Sequence, residues 1–243
     1  MLKDALISFK PSVQNIFQDK VNFILAMIPI IIGIALYALL ASWIYGSLMD
    51  QGSMWIKDFT GEGTTGGVLA FILATIFTVL LYFVVNWTFV LIVTVVASPF
   101  NDMLSKRTER KMKGLELESF ASSFGTIGTT FFKTIFNEIK KITFIIVLSL
   151  IAFTLGYIPL LTPISLIITV LLLSVGFVDY SWSRHNIPFK MCFSDLKSNL
   201  LNYGFGGTFF FVLISIPVVN LIVSPWATSY FTMLWVKNNE HSN

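Results

Sequence analysis

The chain has few of the residues that build reactive centres. A single cysteine, Cys192, excludes an intramolecular disulfide and any metal cluster held by cysteine alone. Two histidines, His185 and His241, leave little for a metal site, and His241 lies in the polar tail NNEHSN, where chain ends fray. Charge is also scarce: 12% of residues are Asp, Glu, Lys or Arg, against about 25% in a soluble domain. A formal net charge of +3 is too small to point to nucleic acid, and no aromatic residues interleave with the basic cluster as a nucleic-acid surface would require. Catalytic signatures are missing as well. Gly61-Glu62-Gly63-Thr64-Thr65-Gly66-Gly67 lacks the lysine and the preceding strand of a nucleotide-binding loop. No metal-ligand spacing occurs, and Ser, His and Asp stand outside any nucleophile-elbow context. The expectation is a protein that is not an enzyme and needs no metal or cofactor.

What remains is apolar. Hydrophobic residues make up 55% of the chain, and the charges are clustered, so the sequence reads as an all-α integral membrane protein. Four stretches carry no charge: Val21–Met49, Gly63–Asn101, Ile142–Val178 and Ser198–Val236. A spanning helix needs about 20 apolar residues. The first stretch is one such helix, about twice the length of a signal-peptide core, so it reads as an anchor. The second holds another, from about Val68 to Ser98, and Ser98-Pro99-Phe100-Asn101-Asp102 reads as a helix end followed by a new start.

The third and fourth stretches, roughly 37–39 residues each, are too short for two full spans with a turn and too broken for one. Prolines interrupt both: Pro159 and Pro163 in GYIPLLTPIS, Pro217 and Pro225 in SIPVVNLIVSPW. Halves of about 14–16 residues fit two re-entrant helical hairpins that leave the bilayer on the side they entered. Charge agrees with that sidedness. Lys106, Arg107, Arg110, Lys111, Lys113, Lys133, Lys140 and Lys141 precede the third stretch, and Arg184, Lys190 and Lys197 follow it. A hairpin keeps all of these on one face, as the positive-inside tendency expects.

Two flanks are amphipathic. Leu2, Leu6, Phe9, Val13, Ile16 and Phe17 recur at helical spacing before Val21, as do Phe120, Phe124, Phe131, Ile135 and Ile139 before the third stretch. Such helices either lie in the membrane interface or pack on their neighbours. The run Lys106–Lys113 reads as a solvated helix with i,i+4 pairs, Asp102–Lys106 and Glu109–Lys113, with anionic lipid heads as a second reading. Within the hairpins, Thr162-Pro163 and Ser224-Pro225 each read as an N-cap followed by a first helical residue, with Asn220 a competing cap. Helix N-termini placed in the membrane could hold an anion without a fixed cation, or the prolines could simply make tight turns. Asn86 and Asn220 are intramembrane polar residues, either lining a path or joining helices.

Specific elements then carry a resemblance. Asp179-Tyr180-Ser181-Trp182-Ser183-Arg184-His185-Asn186-Ile187-Pro188-Phe189-Lys190, Tyr203-Gly204-Phe205-Gly206, and Ile216-Pro217-Val218-Val219-Asn220-Leu221 with Pro225 and Ala227 resemble the CysZ family of bacterial sulfate permeases. Ser98–Asp102 resembles that family's segment after the second helix, and the wider superfamily includes the etoposide-induced proteins. The resemblance implies two long spanning helices and two partly penetrating hairpins. It further implies homo-oligomers in the bacterial inner membrane that move sulfate inward for cysteine synthesis, in contact with membrane lipid.

On this reading the chain is one membrane domain: an interfacial helix at 1–20, spanning helices at 21–49 and 68–98, a basic segment at 102–141, and hairpins at 142–178 and 198–236. In the family, a Gly-Leu-Arg-Arg type of motif at the start of the first long helix contacts sulfate. The corresponding region here is Asp19-Lys20-Val21-Asn22-Phe23, with no arginine before Arg107. Lys20, Asn22 and Asn220 are therefore the expected substrate contacts. Asn86, Asp179, Arg184 and His185 are the expected pore or gate, with Lys140 and Lys141 as further cations. Asp179 is expected to hold Arg184 or His185. Pro159, Thr162, Pro163, Pro217, Ser224 and Pro225 are expected to shape the apices. A non-transporting membrane scaffold, or a permease for another small solute, remains open on the same fold.

Overall fold

The structure, a computed structural model, describes residues 2–60, 64–117, 139–216 and 219–240. Among them all regular structure is helical: α1 (Leu2–Gln18), α2 (Lys20–Thr60), α3 (Thr64–Met112), α4 (Ile139–Gly156), α5 (Thr162–Arg184), α6 (Phe189–Ser198), α7 (Leu200–Ile214) and α8 (Val219–Glu240). The expected helix through Phe120, Phe124, Phe131 and Ile135 lies outside the described residues, as does Pro217. Among the described residues two helical segments, Lys20–Leu39 and Thr162–Arg184, are long and apolar enough to cross a membrane.

Asp19 separates α1 from α2 by capping: its Oδ1 accepts the Val21 and Asn22 N–H groups at 2.9 and 3.2 Å. From there α2 runs for 41 residues and α3 for 49. Both outrun a hydrocarbon core of about 30 Å. The helices run past the spans expected at 21–49 and 68–98. The polar stretch after Met49 stays helical to Thr60, and α3 passes through Pro99 without ending. A proline removes one N–H from the ladder. Here the following turns are held by burial of Phe100, Asn101, Met103, Leu104 and Ser105, so one lost hydrogen bond does not stop the helix.

The chain forms two compact units: Met1–Ile28 with Pro99–Asn243, and Pro29–Ser98. In the second, α2 and α3 approach at Gly52, where a Cβ would collide with the Phe77 ring.

In the first, α4 and α5 form a hairpin closed by the Ser165 hydroxyl, which donates to the Ala152 carbonyl at 2.6 Å. Thr162-Pro163 does start α5, but Leu161 occupies the capping position and makes no side-chain cap. The Thr162 hydroxyl instead donates backwards to Ile158 at 3.2 Å. Pro159 is exposed in the turn. At 23 residues, α5 is also longer than the 14–16 expected of a half-hairpin.

Ser224-Pro225 does not start a helix. The last helix begins at Val219 and carries Pro225 inside it, and Ser224 Oγ accepts a hydrogen bond from Asn101 Nδ2 at 3.1 Å. This replaces the expected start at Pro225. An additional polar partner and a fully packed C-terminal half offset the missing N–H.

The core of this unit sits between α5, α7 and α8, with Val178, Tyr203, Phe210, Ala227, Tyr230, Phe231 and Leu234 fully buried. Gly207 lets α7 approach α5: a Cβ there would lie 2.6 Å from the Val170 carbonyl oxygen and collide with Ser174 Oγ. The α1 helix lies across α8, with Phe9 stacked on Tyr230 at 4.5 Å and the Tyr230 hydroxyl donating to the Ala5 carbonyl at 3.1 Å.

Candidate functional site

Two charged clusters stand out in the first unit, and both centre on the C-terminal turns of α3. In the first, Arg107 reaches the α1–α2 junction. Its Nε donates to Asn22 Oδ1 at 3.0 Å, and its Nη2 donates to both Asp19 oxygens, at 3.1 and 3.2 Å. Asn22 Nδ2 donates to the Asn15 carbonyl at 3.1 Å, and Asn15 Nδ2 donates to Thr108 Oγ1 at 2.8 Å and Ser229 Oγ at 3.1 Å. One polar chain thus joins α1, α2, α3 and α8. The side chains of Arg107 and Asp19 are 6% and 14% exposed, so the pair lies just below the surface rather than in bulk water. Burial works to raise the Asp19 carboxyl. The Asn22 amide and the Arg107 charge outweigh it and hold the group below the usual aspartate range.

The second cluster surrounds Glu109, which is 5% exposed. Its carboxylate accepts Lys113 Nζ at 2.6 Å, Arg184 Nη1 at 2.8 Å and His185 Nε2 at 2.7 Å. Arg184 Nη2 also donates to Asp102 Oδ1 at 3.1 Å. The His185 ring stacks on Trp235 at 5.0 Å, and Lys113 Nζ sits 5.9 Å from the centre of the same indole. Burial opposes the charge on Glu109, but the Lys113 hydrogen bond and the nearby Arg184 and His185 keep its carboxyl below the usual glutamate range.

These contacts revise the expected pairings. Arg184 and His185 meet, as their adjacency required, but Glu109 and Asp102 hold them. Asp179 accepts the Ser183 hydroxyl one turn away, at 3.0 Å. The Glu109–Lys113 pair forms as its spacing suggested, yet Arg107, Thr108 and Glu109 are buried, so this stretch is not a solvated helix. Asn22 is fully buried, and Lys20 is exposed in the first turn of α2. Asn86, Asn220, Lys140 and Lys141 fall in α3, α8 and α4, with side chains outside the described set.

Sequence reasoning passed over Asp19, Arg107, Glu109 and Asn15 as site residues. Two of them left a local signal. Asp19 directly precedes an apolar run, a helix-start signature. Glu109 is the one acid inside a basic run. Arg107 and Asn15 could not be found locally, because their partners lie far away in sequence.

The arrangement positions one buried guanidinium and an exposed lysine at a helix start, and a buried carboxylate held by Lys113, Arg184 and His185 at the mouth of the first hairpin. Neither has a nucleophile beside a base, and among the described residues no group of His, Cys, Asp and Glu could hold a metal ion. In both clusters the cations are paired with carboxylates of the chain itself.

Comparison with known proteins identifies the family. The profile of the family described as Sulfate transporter CysZ/Etoposide-induced protein 2.4 matches residues 8–225. A protein named Sulfate transporter CysZ from Pseudomonas paraeruginosa is 26% identical over 217 residues, covering 87% of this chain and 86% of that one. A protein of the same name from Pseudomonas syringae pv. tomato is 29% identical over 174 residues, 70% of this chain and 68% of its own. A third, from Vibrio parahaemolyticus, is 26% identical over 201 residues, 80% of each. The match runs through both charged clusters and most of the helices around them: the chain belongs to the sulfate transporter CysZ/etoposide-induced protein 2.4 family.

Proposed function

We propose that this chain is a permease of the bacterial cytoplasmic membrane that carries sulfate, or a closely related small anion, into the cell for sulfur assimilation. The observation that carries the reading is the extent of the match: relatives named for sulfate transport align over four-fifths or more of both chains. The site supports it chemically. Arg107 and the Val21 and Asn22 amides that open α2 converge on one carboxylate, which is the donor set a tetrahedral oxyanion needs. Lys20 stands exposed beside them. Asn220, in the first turn of α8, is the neutral donor we assign to the path, and Arg184 and His185 meet on Glu109 at its mouth.

The surrounding architecture follows from the same reading. The α4–α5 and α7–α8 pairs are re-entrant hairpins, and α1 lies in the interface with Leu6, Ile7 and Phe17 outward beside Lys3 and Lys10. Copies of the chain assemble as a homo-oligomer in lipid. The test is radiolabelled sulfate uptake into proteoliposomes holding the full chain, with chloride and phosphate as competitors. Saturable uptake blocked by excess unlabelled sulfate is expected. Uptake no greater than in protein-free vesicles refutes the reading.

A further inference from the structure

Arg107 is a buried cation whose neutralising partner, Asp19, comes from the chain itself. The Asp19 carboxylate takes two hydrogen bonds from Arg107 Nη2 and two from the Val21 and Asn22 amides. We propose that Asp19 is a tethered counter-anion that masks Arg107, and that a substrate oxyanion binds by exchanging with it. The inference rests on the permease reading and deepens it by naming what the substrate displaces.

Charge balance favours exchange over addition. A dianion placed beside Arg107 with Asp19 still in position would set three negative charges against one buried positive. With the aspartate swung outward, the guanidinium keeps an anionic partner and the two amides keep their acceptors, so no buried donor is left bare. Asp19 is the more exposed of the two partners: its side chain is 14% exposed, against 6% for Arg107. Lys20, exposed next in sequence, offers the second positive charge that a dianion requires. Asp19 therefore sets affinity by competition. The consequence is a weak site, and a permeating ion needs to leave its site as well as to enter it.

The test is equilibrium binding of radiolabelled sulfate to the full chain in detergent, at constant ionic strength set with chloride. Asp19→Asn and Asp19→Ser remove the competing charge, and both replacements remain good helix caps, so the α2 start is preserved. Each variant should bind sulfate about tenfold more tightly than the native chain, equivalent to 1.4 kcal/mol. The gain should vanish in the double variant Asp19→Asn with Arg107→Gln. Unchanged affinity in both single variants that elute as the native chain does on size exclusion overturns the proposal. So does a gain that survives loss of Arg107. Sulfate uptake by the native chain, measured in parallel, separates the two ideas. Uptake without tighter binding in the variants removes the exchange mechanism and leaves the permease. Tighter binding without native uptake does the reverse.

Discussion

Replacing Glu109 by glutamine should cost this protein more than any other single change at its charged clusters. Glu109 is 5% exposed, and its carboxylate holds Lys113, Arg184 and His185 at once. Breaking a buried ion pair from one side typically costs about 3–5 kcal/mol, because the partner charge stays behind. Here the partners are unequal. Arg184 is 18% exposed and keeps Asp102, whereas Lys113 and His185 are each 38% exposed and rehydrate readily. Those two contribute under about 1 kcal/mol apiece. The new amide oxygen still accepts one hydrogen bond, which recovers about 1 kcal/mol. The balance is a loss of about 3 kcal/mol, or about 6–12 °C in a melt of a chain this size.

The same group predicts a pH dependence with a definite sign. A folded-state carboxyl held below its unfolded value contributes stability above that unfolded value, and loses it as pH falls through the folded one. For Glu109 the loss begins near the ordinary value of 4.5 and continues below it. The native protein should therefore soften on acidification below about pH 4.5, and the glutamine variant should lack that portion of the slope. Asp19 will leave a residual acid limb, since its carboxyl is also held low, from 3.8. Thermal melts in detergent between pH 3 and pH 7 measure both effects. A variant that melts within about 2 °C of the native chain, with an unchanged acid limb, would refute the hub role of Glu109.

Three further outcomes can be checked. Gly207→Ala should destabilise by about 1–3 kcal/mol because its Cβ meets Val170 and Ser174, whereas Gly176→Ala, with nothing within 4 Å, should be neutral or slightly stabilising; paired melts decide it. Asn220→Asp should reduce anion flux far more than Asn220→Leu, with partial recovery at low pH, because only the aspartate introduces a charge that repels the substrate; equal losses in proteoliposomes would assign Asn220 to structure alone. Single cysteines at positions 183 and 239, in a Cys192→Ala background, should be labelled by an impermeant thiol reagent from one membrane face only, and labelling of position 183 from the other face would end the hairpin reading.

The fold was largely legible where chemistry is local. Charge-free runs of the right length marked the helices, and Thr162-Pro163 marked the start of α5 to within a residue. The same rule failed at Pro99 and Pro225, because a proline says which hydrogen bond is lost and not how well the next turn is packed. The turns after each are buried, and the helices continue. The site was legible only in part. Glu109–Lys113 was readable at four-residue spacing, but the partner of Arg184 was sought at Asp179, five residues away, and lies at Glu109, 75 residues back. Arg107 answers Asp19 across 88 residues, which no local pattern reports. The arginine absent from the start of α2 in sequence is thus present there in space.

The α1 helix shows why hydrophobic spacing alone could not tell which of its faces points inward. Leu6, Phe9, Ile16 and Phe17 recur as one stripe by spacing, but the structure divides them: Phe9 and Ile16 turn inward, while Leu6 and Phe17 are more than half exposed. The inward face is completed by Ser8, Ser12 and Asn15, all buried. In water that division would be unfavourable, since apolar groups would face solvent and hydroxyls the core. Against lipid tails the preference disappears, because the outside is as apolar as the inside, and association relies on close packing and hydrogen bonds between helices. Ser12 accepts the Trp226 indole at 3.0 Å, and its carbonyl accepts Ser229 at 3.3 Å. Asn15 then passes the chain of hydrogen bonds to Asn22 and Arg107. The polar face that a soluble protein would turn to water is used here to hold α1 in place and to fix the amide that orients the buried arginine. A substitution on that seam should therefore alter anion affinity even where it touches no charge.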